Sequence, residues 1–542
     1  MTRTEPADTP LGDEFHLYDT TLRDGAQREG ISYSVADKLA VARLLDELGV
    51  GFIEGGWPGA LPKDTEFFAR AAAGELILKH AVLVAFGSTR KAGTTAEKDP
   101  QVRALLAAQA PVVTLVAKSD RRHIERALRV DVAEACAMVA DTVSFLVGEG
   151  RRVFLDAEHF FDGYAYDPDT ALRVLDAAAH AGADVVVLCD TNGGQLPLGL
   201  AETVRGVKDR TGFRLGIHCQ DDTSCAVANS VAAVQVGATH VQCTANGYGE
   251  RAGNADLFAV TGNLVTKLGM QVLPTGGAAE LTRVSHALAE IANIAPDTHQ
   301  AYVGASAFAH KAGLHASAIK VDPLLYNHID PAAVGNDMRV LVTEMAGRAS
   351  LELKGRELGV DLAGQPEALT SAVNKVKLLE AGGWSFEAAD ASLELLLRKE
   401  VGGPVEAPFT LESYRVVLDH RADGEVVSEG TVKVHVGGER VIATAEGNGP
   451  VHALDAALRK ALSPHLAWLD RVELADYKVR ILTPGAGVAQ EASHSGTDAV
   501  TRVLIESSDG EREWTTVGVH GNIVEASWLA LCDALVYKSL RV

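Results

Sequence analysis

The chain has 542 residues, so even a barrel of about 250 residues leaves room for a second domain and a connection. Its 72 Asp plus Glu outnumber 50 Lys plus Arg, and a formal charge of −22 argues against nucleic acid or an anionic membrane as partner. The six cysteines form no paired framework, the N-terminus is polar, and no stretch reaches about 18 uninterrupted apolar residues, so a reducing cytoplasmic location is expected.

From residue 15 to about 260, short apolar runs alternate with Ala- and Leu-rich helical stretches, the rhythm of repeated βα units. Strands are predicted at Phe15–Asp19, Gly51–Gly55, His80–Phe86, Pro111–Ala117, Arg152–Glu158, Asp184–Asp190, Arg214–Cys219 and His240–Thr244. Eight such units predict an α/β fold, a (β/α)8 TIM barrel over residues 1–270, whose polar strand ends converge on the C-terminal rim. Residues 271–405 lose the strand rhythm and are expected to form a helical linker, with helices near Glu280–Ile294 and Pro366–Leu379. Within it, Ser306–Ser317 reads as a loop holding His310 and His315, followed by Tyr326, that could fold over the barrel mouth. Residues 406–542 read twice as strand, strand, strand, helix, which predicts a C-terminal α+β domain of two βββα units. Its strands are expected at Tyr414–Leu418, Gly430–Val436, Arg440–Glu446, Tyr477–Leu482, Thr501–Ser507 and Glu513–His520, with helices at Val451–Leu462 and Ile523–Leu540.

Three segments carry chemistry. Asp19–Gln27 (DTTLRDGAQ) follows the first strand and sets the cation Arg23 beside the carboxylate Asp24, half of a metal-assisted site. In Gly216–Asp222 (GIHCQDD), His218 and Gln220 share one strand face because side chains alternate with period two, a common spacing of metal ligands. The Gly-rich turn Asn246–Ala255 misses the dinucleotide fingerprint by one residue and reads better as the turn that delivers Asn254.

Together these segments resemble the pyruvate-carboxylase-like aldol/Claisen condensation family, most closely its citramalate synthase and 2-isopropylmalate synthase branch, and the resemblance covers nearly the whole chain. It implies an acyltransferase that joins acetyl-CoA to an α-keto acid, with pyruvate giving citramalate favoured by the motif Glu54–Gly59 (EGGWPG). It implies a divalent cation (Mg2+, Mn2+ or Zn2+) held by Asp24, His218, Gln220 and Asn254. Arg23 would stabilise the developing oxyanion, and Gln27 would contact substrate or brace the arginine. Thr191 would bind the keto-acid carboxylate. Glu158 and His315, assisted by Tyr326, would move the acetyl proton or activate water.

Gln220 stands where the family has its second histidine, and Asp221 where it usually has Asn. A Gln carbonyl suits Mg2+ or Mn2+ better than Zn2+. The alternatives are that Gln220 only hydrogen-bonds, that Asp221 or Asp222 helps, or that the chain is a catalytically silent paralogue. A related synthase acting on another keto acid or acyl-CoA is a further alternative. The resemblance also implies a homodimer, and binding of an amino-acid end product, isoleucine on the citramalate reading, by the C-terminal domain. On that reading, truncation near residue 405 abolishes inhibition and keeps activity.

Overall fold

The computed structural model describes residues 13–403, 405–482 and 499–542, so the polar N-terminal octet lies outside it. The chain divides into two compact units, residues 1–308 with 329–337 and residues 309–328 with 338–542.

The first unit is a closed parallel barrel of eight strands: β1 His16–Asp19, β2 Phe52–Glu54, β3 Val82–Ser88, β4 Val112–Lys118, β5 Arg152–Glu158, β6 Val185–Asp190, β7 Leu215–Cys219 and β8 His240–Cys243. Each lies within two residues of its sequence expectation, the usual scatter of element ends. The run VVVLC that opens β6 is continuously apolar because parallel strands here are buried on both faces. β8 closes on β1 with His16 opposite His240. Inside the barrel Tyr18, Phe52, Val84, Val112, Phe154 and Val187 fill the lumen, so it is a packed core and not a pore.

Local signals fix the helices around it. Val35–Leu48 starts at a capping box in which Ser34 and Asp37 satisfy each other's backbone N–H. It ends at Gly49, whose φ of 92° is left-handed and whose missing Cβ leaves room for the Pro274 ring.

The second unit begins with Ala309–His310, paired in parallel with Arg339–Val340. The stretch expected to be loop carries a helix, Gly313–Ile319, which the apolar spacing of only seven residues does not announce. Helices Arg348–Glu357, Pro366–Ala381 and Asp390–Glu400 follow. Two antiparallel three-stranded sheets come next, Thr410–His420, Val426–Val436, Glu439–Gly447 and Glu473–Ile481, Thr501–Ser508, Glu513–His520. Each precedes its helix, Pro450–Leu462 and Ile523–Ser539. The two βββα units are those expected, but the first strand is longer at both ends. Its flanks are exposed and lack alternation, and only pairing with Val426–Val436 holds them extended.

Candidate active site

The C-terminal ends of the strands open on a cavity of about 670 Å3, and Arg23, Asp24, Gln27, Glu158, Thr191, His218 and Gln220 all line it. Residues separated by up to two hundred positions are thus brought to one mouth.

Asp24 and His218 face each other, with His218 Nε2 3.4 Å from Asp24 Oδ2. Gln220 Nε2 lies 3.4 Å from both of those atoms. Asn254 is set opposite Gln220 by an antiparallel bridge in which Asp221 donates to the Gly253 carbonyl and Ala255 to that of Cys219. The turn makes this possible through glycine: a Cβ on Gly253 would stand 2.0 Å from the Gly247 oxygen, and one on Gly249 2.2 Å from Asn254 Nδ2. Burial alone would raise the Asp24 pKa, but Arg23 and His218, with hydrogen bonds from Asn254 and Gln220, hold it below the ordinary value. Gln220 Oε1 and Asn254 Oδ1 are buried with no partner among the described residues. Two orphaned amide oxygens beside a carboxylate and an imidazole nitrogen are a donor set that fits a divalent cation, and its oxygen content favours Mg2+ or Mn2+.

Arg23 is held from three sides. Its Nε donates to Glu54 Oε1 at 2.5 Å, its Nη1 lies 3.3 Å from Asp24 Oδ2, and its Cζ sits 3.9 Å over the Phe86 ring. Burial would lower its pKa, yet Glu54, Asp24 and Asp156 raise it, so the cation is fixed. Gln27 is exposed at the rim, and no hydrogen bond joins it to Arg23 among the described residues. Thr191 Oγ1 accepts the His159 N–H at 2.8 Å, so its own proton remains to be donated. Glu158 is paired with Lys118, its register partner on β4. Asp221 does not join the cluster: its carboxylate accepts the Ala226 N–H. Asp222 is likewise engaged, by Arg251.

His315 and Tyr326 lie in the second unit, where their rings stack at 4.0 Å, with His310 5.8 Å from His315. His310 itself bonds Asn327.

Tyr18, Thr114 and Gln242 carry no sequence signal of their own. Glu54 also accepts the Tyr18 hydroxyl, Tyr18 meets Thr114, and Gln242 Nε2 donates to Asp156 Oδ1 at 2.8 Å. Burial and the nearby Glu54 push the Asp156 pKa up to about 8, although Arg23 opposes them. Only the period-two step from Asp156 to Glu158 hints that both face inward.

A second cluster, Asp13, His16 and Asp184, lies at the opposite, N-terminal ends of the strands. Arg152 and Arg214 already bind both carboxylates, and Arg214 Nη2 is 2.7 Å from His16 Nε2, so this set is an ion-pair network and not a cation site.

The HMGL-like family model matches residues 14–289, a homocitrate synthase post-HMGL domain-like model residues 302–382, and the LeuA allosteric (dimerisation) domain residues 387–539. An (R)-citramalate synthase of Streptomyces coelicolor is 61% identical over 535 residues, covering 99% of this chain and 98% of the relative. The chain belongs to the citramalate synthase and 2-isopropylmalate synthase family. Other members are (R)-citramalate synthases of Aquifex aeolicus, 45% identical over 98% of this chain and 99% of the relative, and of Synechocystis, 47% identical over 96% and 95%. Among the described residues no helix is long and apolar enough to cross a membrane, and all six cysteines are free.

Proposed function

We propose that this chain is an (R)-citramalate synthase, joining acetyl-CoA, pyruvate and water to give (R)-citramalate and free CoA. The observation that carries the reading is near-complete coverage at 61% identity by a relative of that name. The cavity supports it by being lined by the acid Asp24, the fixed cation Arg23 and the hydroxyl of Thr191.

In this reading Asp24, His218, Gln220 and Asn254 hold a divalent cation. When bound, it polarises the ketone of the keto acid and offsets the alkoxide charge. The Thr191 hydroxyl, its oxygen already occupied by the His159 N–H, donates to the keto-acid carboxylate. A base removes a proton from the acetyl methyl, and the resulting carbanion forms the C–C bond to the ketone carbon. Arg23, its charge assured by Glu54, faces the oxygen that gains charge in that step. The alkoxide then takes a proton, and water cleaves the thioester C–S bond, releasing the CoA thiol and a carboxylate. Glu158 with His315, aided by the stacked Tyr326, supplies the base and activates the water. The LeuA-type segment supports a homodimer that binds an amino-acid effector, isoleucine for this product, and the free cysteines fit a cytoplasmic enzyme.

The test is CoA release by metal-stripped protein given acetyl-CoA and a panel of keto acids, with Mg2+, Mn2+ or Zn2+ restored. Cation-dependent release with pyruvate above all others is expected. Release with a larger keto acid would reassign the substrate, and none under any combination would leave the silent-subunit reading standing.

A further inference from the structure

His218 can serve a cation only through a ring nitrogen that carries no proton, and which nitrogen that is depends on what the other one meets. In this chain the other nitrogen meets an amide. His218 Nδ1 lies 2.8 Å from Gln242 Oε1, its register partner on β8, and Gln242 Nε2 donates at 2.8 Å to Asp156 Oδ1 on β5, across the barrel interior. All three side chains are buried.

The orientation of the Gln242 amide sets the polarity of this chain. An amide nitrogen is only a donor, and Gln242 spends it on the Asp156 carboxyl. The amide oxygen is then left for His218, so Nδ1 must be the donor in that contact. Nε2 keeps its lone pair, and Nε2 is the atom that lies 3.4 Å from Asp24 Oδ2 and from Gln220 Nε2.

We propose that Gln242 and Asp156 are positioning residues for the cation site: Asp156 orients the Gln242 amide, and Gln242 selects the His218 tautomer that can ligate. The inference rests on the reading of Asp24, His218, Gln220 and Asn254 as the ligand set. It assigns a role to two residues that sit mid-strand, one of them below Glu158 on β5. No water is needed to bridge the three groups, because each contact is direct.

Mn2+ binding, read as loss of the free-ion signal in electron paramagnetic resonance, tests it on the full chain. Ring 15N shifts of His218 in metal-free protein give a second readout. Gln242→Leu removes both amide contacts and is expected to weaken Mn2+ binding about 10- to 100-fold and to release the tautomer preference. Gln242→Glu keeps an acceptor against Nδ1, and Asp156→Asn keeps an acceptor for the Gln242 amide. Both are expected to retain the Nδ1–H tautomer and to bind Mn2+ far better than Gln242→Leu. A folded Gln242→Leu protein that binds Mn2+ like wild type overturns the inference, as does a wild-type His218 protonated at Nε2. A wild type that binds no Mn2+, whatever its tautomer, removes the ligand set itself and the inference with it.

Discussion

Gln220 concentrates the chemistry of the site at a single amide. Its oxygen is buried without a partner among the described residues and its nitrogen is 3.4 Å from both Asp24 and His218, so its contacts within the protein are weak ones. Replacing it with Leu removes an oxygen donor from a set with one carboxylate. Cation-dependent CoA release is expected to fall at least about 100-fold, near 2.7 kcal/mol of transition-state stabilisation. Gln220→His adds an imidazole and is expected to shift activation from Mg2+ or Mn2+ toward Zn2+. Equal activation by all three ions in both proteins would sink the ligand assignment. Asp156 gives a pH test at the same scale. Its folded pKa is raised to about 8 by burial and by Glu54, above the ordinary carboxylate value of 3.8. The protonated acid is therefore what the fold favours, and that stability is present below pH 3.8 and lost as pH rises toward 8. Asp156→Asn removes the titration, so its melting temperature relative to wild type should climb by a few degrees between pH 4 and pH 8; a flat difference would show that Asp156 is ionised throughout. These residues also mark what was legible. Arg23, Asp24, Thr191 and His218 stand out because they sit at strand ends in polar strings, and Asn254 because it sits in a glycine-rich turn. Tyr18, Asp156 and Gln242 were invisible, since a polar residue inside an apolar strand has no pattern of its own until the closed barrel turns its face inward.

Single elements are pinned by contacts that the sequence could only suggest. The loops after β6, β7 and β8 are tied by Arg251, whose Nη2 donates to the Thr191 carbonyl at 2.8 Å while its Nε and Nη2 grip the Asp222 carboxylate. This brace fixes the backbone of Thr191 relative to the segments after β7 and β8 that carry Gln220 and Asn254. Arg251→Ala is expected to raise the KM for the keto acid about tenfold through loss of a charge-assisted contact, with a smaller change in kcat. A drop confined to kcat would point to direct action on the reacting atoms. The helix Val35–Leu48 offers a stability test. At Gly49 the chain is left-handed, and a Cβ would lie 2.2 Å from Pro274 Cδ. Gly49→Ala is expected to cost about 1–3 kcal/mol in chemical denaturation, from overpacking with a left-handed penalty added. An unchanged midpoint would mean that Pro274 yields freely. Helices with caps and periodic faces were readable in this way, whereas Gly313–Ile319 was not. Two glycine- and alanine-rich turns of helix have too few apolar positions to show a period, and pairing of Ala309–His310 with Arg339–Val340 supplies what the local sequence lacks.

At the level of the molecule, the repeat of two βββα units was legible because each unit restates the period-two pattern, but the join between these units and the preceding helices was not. One buried cluster runs from Val342 and Leu351 through Leu369 and Val376 to Leu393, Leu397 and Val517. Ser392 stitches it further, donating to Asp533 and accepting the Val517 N–H. Helix Asp390–Glu400 is therefore core to the helices before it and to the last sheet after it. A cut near residue 405 would strip Val517 and its neighbours from that cluster and expose Leu393 and Leu397 to water. This packing predicts a different outcome for such a truncation than turnover kept with effector inhibition lost. Both are expected to fail together, because the helix carrying His315 belongs to the same compact unit. A milder lesion should separate them. Val517→Ala shortens one buried side chain at the sheet end of the cluster and is expected to cost about 1–3 kcal/mol locally. If the shared core couples an effector on the sheets to the His315 helix, this variant keeps CoA release and loses much of its sensitivity to isoleucine. A truncated chain that turns over like wild type, or a Val517→Ala enzyme inhibited as strongly as its parent, would show that the coupling does not run through this core.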